Sequence, residues 1–471
     1  MALVVCSLVP YLVLTVAVLL LGELISTGLG ISRPTLQLTV SLSAGAYAVG
    51  TLLAAQFAMH FPPRRLLVGY EVCFFVASLL AAGAPNAPVF ITAFIAQGLL
   101  TSLMLIAALP PLVTSWPATK IPISAGILNL CIFGAVAVGP TVGGLQAAAG
   151  SWRMLFWGVA AVSGLALLFS VLTFSDTPPQ DPGAPWDIVA LVLGVTGCGA
   201  AFYGAGVLQP GTSVGARSLV PLIVGVALIA FLVAYEYRLP HPLVPVKALT
   251  TSVPLAGLFA ALTTSAAAFG AMELLLVVLR TASTPITTAL IFLPEFVAAI
   301  AVAVLFAALF RTRLTPLLTA GGLVMVVASA ALLVVALPAI GPALAAATGL
   351  IGLGVAAAVS PALFLVGLSL PARLLQRVFA LVELLRAVTA FLTAPILVFL
   401  AGILGRDQTS GTRGALWICL GIAAVGLAGA SALYLSGRPR LEAPDLERWQ
   451  GRGEPAWESP PLLSALPRKR R

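Results

Sequence analysis

Charge is scarce in this chain: only 8% of its 471 residues are Asp, Glu, Lys or Arg, against about 25% in an average soluble protein. Lysine is confined to Lys120, Lys247 and Lys469, and histidine to His60 and His241. With 60% hydrophobic residues and a mean hydropathy of +1.11, that scarcity excludes an ordinary soluble domain. The net charge of +9 would suggest a nucleic-acid partner in a soluble protein. Here the basic residues fall in short breaks between apolar runs and in the tail, where they anchor a membrane protein, and no nucleic acid is expected. The five cysteines (Cys6, Cys73, Cys131, Cys198, Cys419) lie inside apolar runs without metal-ligand spacing, which argues against zinc and disulfides and reads them as small core residues. No Walker-type, zincin or Rossmann pattern precedes a helix, so ATP-driven transport within this chain and metal or dinucleotide enzymology are disfavoured, and no cofactor is expected.

What is present is long apolar runs. Stretches of about 20 residues, enough to cross a ~30 Å hydrocarbon layer, begin near Ala2, Leu38, Leu66, Val89, Ile123, Met154, Ile188, Leu219, Pro254, Ile286, Pro316, Pro342, Leu375 and Ala415. The expected fold class is an all-α membrane protein with fourteen transmembrane helices. Breaks such as Pro62-Pro63-Arg64-Arg65 and Asp181-Pro182-Gly183-Ala184-Pro185 carry the usual turn residues. Alternate loops, together with the tail, hold more Arg and Lys than the others, which puts both termini in the cytoplasm. From about Gly437 the chain turns polar and rich in Pro and Gly, ending Arg468-Lys469-Arg470-Arg471. This reads as a disordered cytoplasmic tail that touches anionic lipid. Pro111 recurs as Pro361, 250 residues on, and Pro140 as Pro395, 255 on, consistent with a duplicated half.

The most informative stretch is Gly126-x8-Ala135-x3-Gly139-Pro140-x2-Gly143-Gly144, followed by Ser151-Trp152-Arg153. Small residues at helical spacing let helix backbones touch in lipid, and Pro140 removes a backbone donor and bends the helix there. The pattern resembles the antiporter motif of drug exporters of the major facilitator superfamily, with Ala135 where the middle glycine usually stands. The wider chain is similar to that superfamily's fourteen-helix drug:proton antiporters, also through Trp186-Asp187, Glu236-Tyr237-Arg238 with Pro242-Leu243-Val244-Pro245, and Leu293-Pro294. The resemblance implies two six-helix bundles, residues 1–175 and 253–436, with residues 176–252 as linker and an inserted helix pair, and 437–471 as tail. It also implies a substrate site between the bundles at the bilayer midplane. Gly139 and Gly143 are expected to meet a helix of the opposite bundle.

Two hallmark sites of that family depart from its pattern. After the second helix the family carries an acidic residue that clamps neighbouring helix ends; here Met59 stands in its place, and Pro62 replaces the second glycine. The fourth helix normally has an arginine linked to proton movement, and this chain has Phe94 in Phe94-Ile95-Ala96-Gln97-Gly98.

An ionisable side chain at the bilayer centre costs roughly 2.5–3.5 kcal/mol, so each needs a partner, water or a function. Glu295, directly after Pro294 near the middle of its helix, is the foremost candidate for binding a cation or proton. Glu273 follows the small residues Ala266, Ala267, Ala268, Gly270 and Ala271 and is expected to face a cavity. Glu383 and Arg386, three apart, share a helix face and form either a neutral pair or a proton-tuning pair that compensates for Phe94. Gln97 offers hydrogen bonds to a cavity or to a neighbouring helix. Glu23 and Glu71 read as rim charges. The leading expectation is a monomeric secondary exporter of amphipathic or cationic small molecules in a bacterial inner membrane, using protons. An uncoupled facilitator and a transport-dead scaffold or sensor remain as alternatives.

Overall fold

A computed structural model describes residues 2–114, 116–173, 178–179, 181–208 and 215–462. Among them fourteen helices are long and apolar enough to span a membrane. They are α1 (Ala2–Leu29), α2 (Arg33–His60), α3 (Pro63–Ala82), α4 (Ala87–Thr114), α5 (Ala118–Ala148), α6 (Arg153–Thr173) and α7 (Ile188–Val207). The second seven are α8 (Ala216–Arg238), α9 (Ser252–Ala282), α10 (Pro285–Leu309), α11 (Thr315–Ala336), α12 (Pro342–Leu368), α13 (Leu375–Leu404) and α14 (Gln408–Gly437). Local chemistry sets several starts: Ser32, Asp187 and Thr284 each accept the backbone N–H three residues on, at 3.2, 2.9 and 3.2 Å, satisfying a donor the helix leaves open. Pro63 opens α3 at a position where a missing N–H costs nothing.

The helices sort into two sets with the same internal packing. In the first, α2 packs on α4, α1 on α5, α3 on α4 and α6, and α6 and α4 on α1. Adding eight to each number gives the second: α10 on α12, α9 on α13, α11 on α12 and α14, and α14 and α12 on α9. The duplication expected from the proline spacing is therefore also a duplication of contacts. The sets meet along two seams related by the same rule, α2 against α13 and α5 against α10. The inserted pair lies outside them: α7 packs on α2 and α8 on α7, while Val220, Ile223, Val224 and Phe231 of α8 stay exposed, as residues facing lipid do. Because the number of spans is even, the start of α1 and the end of α14 lie at one end of the bundle, the termini face.

Two expectations are corrected. The stretch after Gly437 is not disordered as far as it is described: it forms a short helix, α15 (Leu446–Arg452), and buries Trp449 and Trp457. Indole side chains, few in a polar segment, find apolar cover among loops distant in sequence. The closing Arg468-Lys469-Arg470-Arg471, like the 175/176 boundary, lies outside the described residues. Of the cysteines, Cys131, Cys198 and Cys419 are buried, Cys6 is half-buried and Cys73 is exposed, so Cys73 is no core residue.

Candidate functional site

α5 is the helix on which the seam is built. It contains a π-turn, Leu130–Gly134, just before Ala135, a distortion often found where helices carry function. Its glycines serve two partners. A methyl group added at Gly126 would lie 2.8 Å from the Ala303 carbonyl oxygen and 3.0 Å from Ala307 Cβ; at Gly144, 2.6 Å from the Pro285 oxygen and 3.0 Å from Ala289 Cβ. These contacts are with α10, across the seam. At Gly139 and Gly143 the same atom would lie 2.9 Å from the Val13 oxygen and 2.8 Å from Ala17 Cα, both in α1. Gly139 and Gly143 therefore do not meet the opposite bundle, as the motif suggested, but hold α5 inside its own. Pro140 is buried between the two contacts, and Thr141 donates to Ala289 O at 3.2 Å. Gly144→Leu and Gly126→Leu are expected to abolish transport while leaving a monodisperse protein, whereas Gly139→Leu and Gly143→Leu lower folded yield as well. Size-exclusion profiles beside efflux rates test this, and equal yields for all four would refute the division.

Between the sets lies a small cavity of about 20 Å³, room for about one water. Phe133, Val136 and Ala137 of α5, Phe269 and Met272 of α9, Ile351 and Val355 of α12, and Glu295 of α10 line it. Glu295 is 4% exposed, and its Oε2 has no hydrogen-bond partner among the described residues. Gly352 allows α12 to press against the Glu295 backbone, and Thr348 donates to Ile291 O at 2.5 Å, so the turn around Pro294 is held while the carboxylate is left unpaired. An unpaired buried carboxylate is costly unless it is protonated or meets a cation.

Glu383 is also fully buried, but its surroundings are opposite in kind. Arg386 donates to both of its oxygens, Nε to Oε2 at 2.8 Å and the terminal nitrogen to Oε1. Tyr47 of α2 adds a third donor at 2.7 Å. This joins the α2–α13 seam through a charge-assisted bond. Aromatic rings surround it: Tyr11 stacks on Tyr47 with centroids 6.3 Å apart, Phe391 meets Tyr47 edge-on at 6.1 Å, and the Arg386 guanidinium lies 5.8 Å from the Phe133 ring centroid. Phe94, in the place of the absent arginine, packs 6.0 Å from Tyr11. The position is thus coupled to Glu383 by rings rather than by charge.

The other expected residues go elsewhere. Gln97 is fully buried and donates to Ser78 of α3 at 3.0 Å, joining two helices of one bundle instead of facing the seam. Glu273 is half-buried beside the cavity-lining Met272 but does not line the cavity itself. Glu23 is exposed and pairs with Arg33 at 3.4 Å, a rim charge as expected. Glu71 is not: it is fully buried and accepts from Ser7. Sequence reading missed Tyr47 and Tyr11, although a phenol inside an apolar run signals a required hydrogen-bond partner.

At the termini face the missing acidic clamp has a substitute. The linker before α7 binds the end of α2: Asp181 N donates to Met59 O at 3.1 Å, His60 Nε2 lies 2.9 Å from Ala184 O, and the Gln56 amide contacts Pro185 O and Asp187 N. Trp186 stacks on His60 at 4.4 Å. The loop after α8 binds α13 in turn. Glu236 accepts from Val244 N at 3.0 Å, and Arg377 donates to Pro242 O and, at 2.8 Å, to Leu243 O. The Glu236 and Pro242–Pro245 motif is thus a clip between α8 and α13.

The sequence model described as Major Facilitator Superfamily matches residues 3–394. The chain belongs to the Major Facilitator Superfamily. Among its solved relatives in fold is the human organic anion transporter MFSD10 (TETRAN), with a TM-score of 0.58 over 90% of this chain and 98% of that one, at 13% identity. Curated relatives of this superfamily member include a multidrug resistance protein B homolog of Mycobacterium tuberculosis, 28% identical over 192 residues, which are 40% of this chain and 35% of that protein. The lincomycin resistance protein LmrB of Bacillus subtilis is 27% identical over 176 residues, 37% of this chain and 36% of that protein. A third, the uncharacterized transporter YcnB of Bacillus subtilis, is 26% identical over 193 residues, 41% of each chain. The matches thus span about two fifths of the curated relatives' length. Fold and superfamily make this member a membrane transporter rather than an enzyme.

Proposed function

We propose that this transporter exports amphipathic or cationic small molecules from a bacterial cell by proton antiport, as a monomer with both termini in the cytoplasm. The observation that carries the reading is Glu295, a buried carboxylate with no hydrogen-bond partner among the described residues, in a small cavity on the seam lined by Phe133, Phe269 and aliphatic side chains. Protonated, it is neutral and the cavity closes around it; ionised, it requires a cation or water, and closure is disfavoured until a cationic substrate arrives. Competition between proton and substrate for one carboxylate is sufficient to couple their opposite movements. That two of the curated relatives are a multidrug resistance protein B homolog and a lincomycin resistance protein supports export of drug-like molecules. Residues 1–175 and 253–436 are the two moving bodies and 176–252 carries the inserted pair. Glu383 and Arg386 stay paired as a neutral unit that tunes the seam in place of the arginine absent at Phe94.

Liposomes holding the purified protein test the reading. An imposed pH gradient is expected to drive uptake of a lipophilic cation against its own gradient, and collapse of the gradient by an ionophore should stop it. Phe94, which leaves the usual basic position uncharged, favours a second reading as an uncoupled facilitator. Uptake that equilibrates but ignores the pH gradient would select it, and absence of uptake for every cation and neutral drug tried would select the scaffold.

A further inference from the structure

The chain after α14 crosses from one bundle to the other. Arg438 takes a left-handed backbone conformation (φ 48°), turning the chain back over the termini face. Ser252 N and Oγ donate to Pro460 O at 3.1 and 2.9 Å, and Ser459 Oγ accepts from Val253 N at 3.1 Å, tying the segment to the start of α9. Trp449 is fully buried, and its Nε1 donates to Leu370 O at 3.0 Å. Ala372 N donates to Gly453 O at 3.1 Å and Ala456 N to Leu368 O at 2.7 Å, fixing the segment to the α12–α13 turn. From the same short helix Gln450 reaches the other bundle: its Nε2 donates to Trp116 O at 2.6 Å in the α4–α5 turn, and α15 packs on residues 118–120. Just beneath, Gln376 of α13 donates to Ile106 O of α4 at 3.0 Å, so the two bundles are in contact under the crossing segment.

We propose that residues 438–462 are a strap that holds the two bundles together at the termini face and releases the α4–α5 turn when this face opens. The inference rests on the alternating-access reading above. The two attachments differ in kind. On the α9, α12 and α13 side, backbone bonds and a buried indole hold the strap, an anchor that moves with that bundle. On the α4–α5 side the grip is the packing of α15 on residues 118–120 and the side chain of Gln450, a latch whose hydrogen bond to Trp116 O water can replace. The strap therefore biases the resting population toward closure at this face without forbidding opening.

The test reads accessibility as well as transport. Ala380→Cys is placed one turn deeper than Gln376 on the same face of α13, where Ala380 is fully buried, in a background with Cys6 and Cys73 changed to serine. In nanodiscs, modification of this thiol by a charged reagent is expected to be at least about threefold to tenfold faster in Gln450→Ala than in the parent, the population shift expected from losing the hydrogen bond to Trp116 O. A disulfide joining Gln450→Cys to Ala118→Cys is expected to suppress both modification and liposome uptake, with reductant restoring both. An unchanged rate in Gln450→Ala, or full activity of the cross-linked protein, overturns the strap. The two failures are distinguishable. If modification of the parent responds to lipophilic cation but not to Gln450→Ala, the strap alone is wrong; if it responds to neither, alternating access is wrong and the strap falls with it.

Discussion

Glu295→Gln is expected to weaken binding of a monovalent lipophilic cation by about 30-fold or more, while affinity for a neutral drug of similar shape changes by less than about threefold. Removing one member of a desolvated charge pair costs roughly 2–5 kcal/mol, and every 1.4 kcal/mol is tenfold. The amide has nearly the shape of the protonated acid, so the cavity of Phe133, Phe269, Met272 and Ile351 is left intact. The same variant should make uptake indifferent to the pH gradient, because among the described residues lining the cavity no other can take up a proton. Calorimetric titration with one cationic and one neutral ligand checks the first expectation, and liposome uptake at two gradients the second. Equal weakening of both ligands would mean that Glu295 acts through packing and does not discriminate charge.

The second large effect concerns stability. Glu383→Gln strands the buried Arg386 guanidinium without its counter-charge, and Arg386→Met strands the carboxylate. Breaking a buried pair from one side costs about 3–5 kcal/mol, whereas replacing both members is often close to neutral. Each single variant is therefore expected to lower the thermal midpoint of the purified protein strongly, and the Glu383→Gln, Arg386→Met double variant to recover more than half of the loss. Tyr47→Phe should cost less, roughly 1.5–3 kcal/mol for a hydrogen bond to a charged group. Its effect on transport should exceed its effect on stability, since its bond crosses the α2–α13 seam. A double variant no more stable than the worse single would refute the neutral-pair account.

Much of this was legible in the residues because the bilayer is an undemanding reader: a run of about 20 apolar residues is a helix that spans it. The spacing of Glu383 and Arg386 sufficed to pair them, since residues three apart share a helix face. Partners between helices were not legible. Gly143 and Gly144 are neighbours in sequence and about 100° apart around the axis, so one meets α1 and the other α10, and no pattern within α5 says which. Gln97 was ambiguous for the same reason, and Ser78 decides it. The tail misled because its composition is that of a disordered segment, while the cover for Trp449 comes from the α12–α13 turn, about 80 residues away. Glu295 was visible as an isolated acid in an apolar run. That it would have no partner required knowing what α5, α9 and α12 bring to it.

The inserted pair carries a mechanical consequence. α7 is clipped to the end of α2 through Gln56, His60 and Met59, and α8 to the start of α13 through Glu236 and Arg377. Because α2 and α13 belong to different bundles and pack against each other, the pair spans the line along which they meet. On the alternating-access reading proposed above, the slack in the segments around 181–187 and 239–251 sets the stroke of the motion, so loop length, remote from any substrate, becomes a limit on how large a molecule can enter.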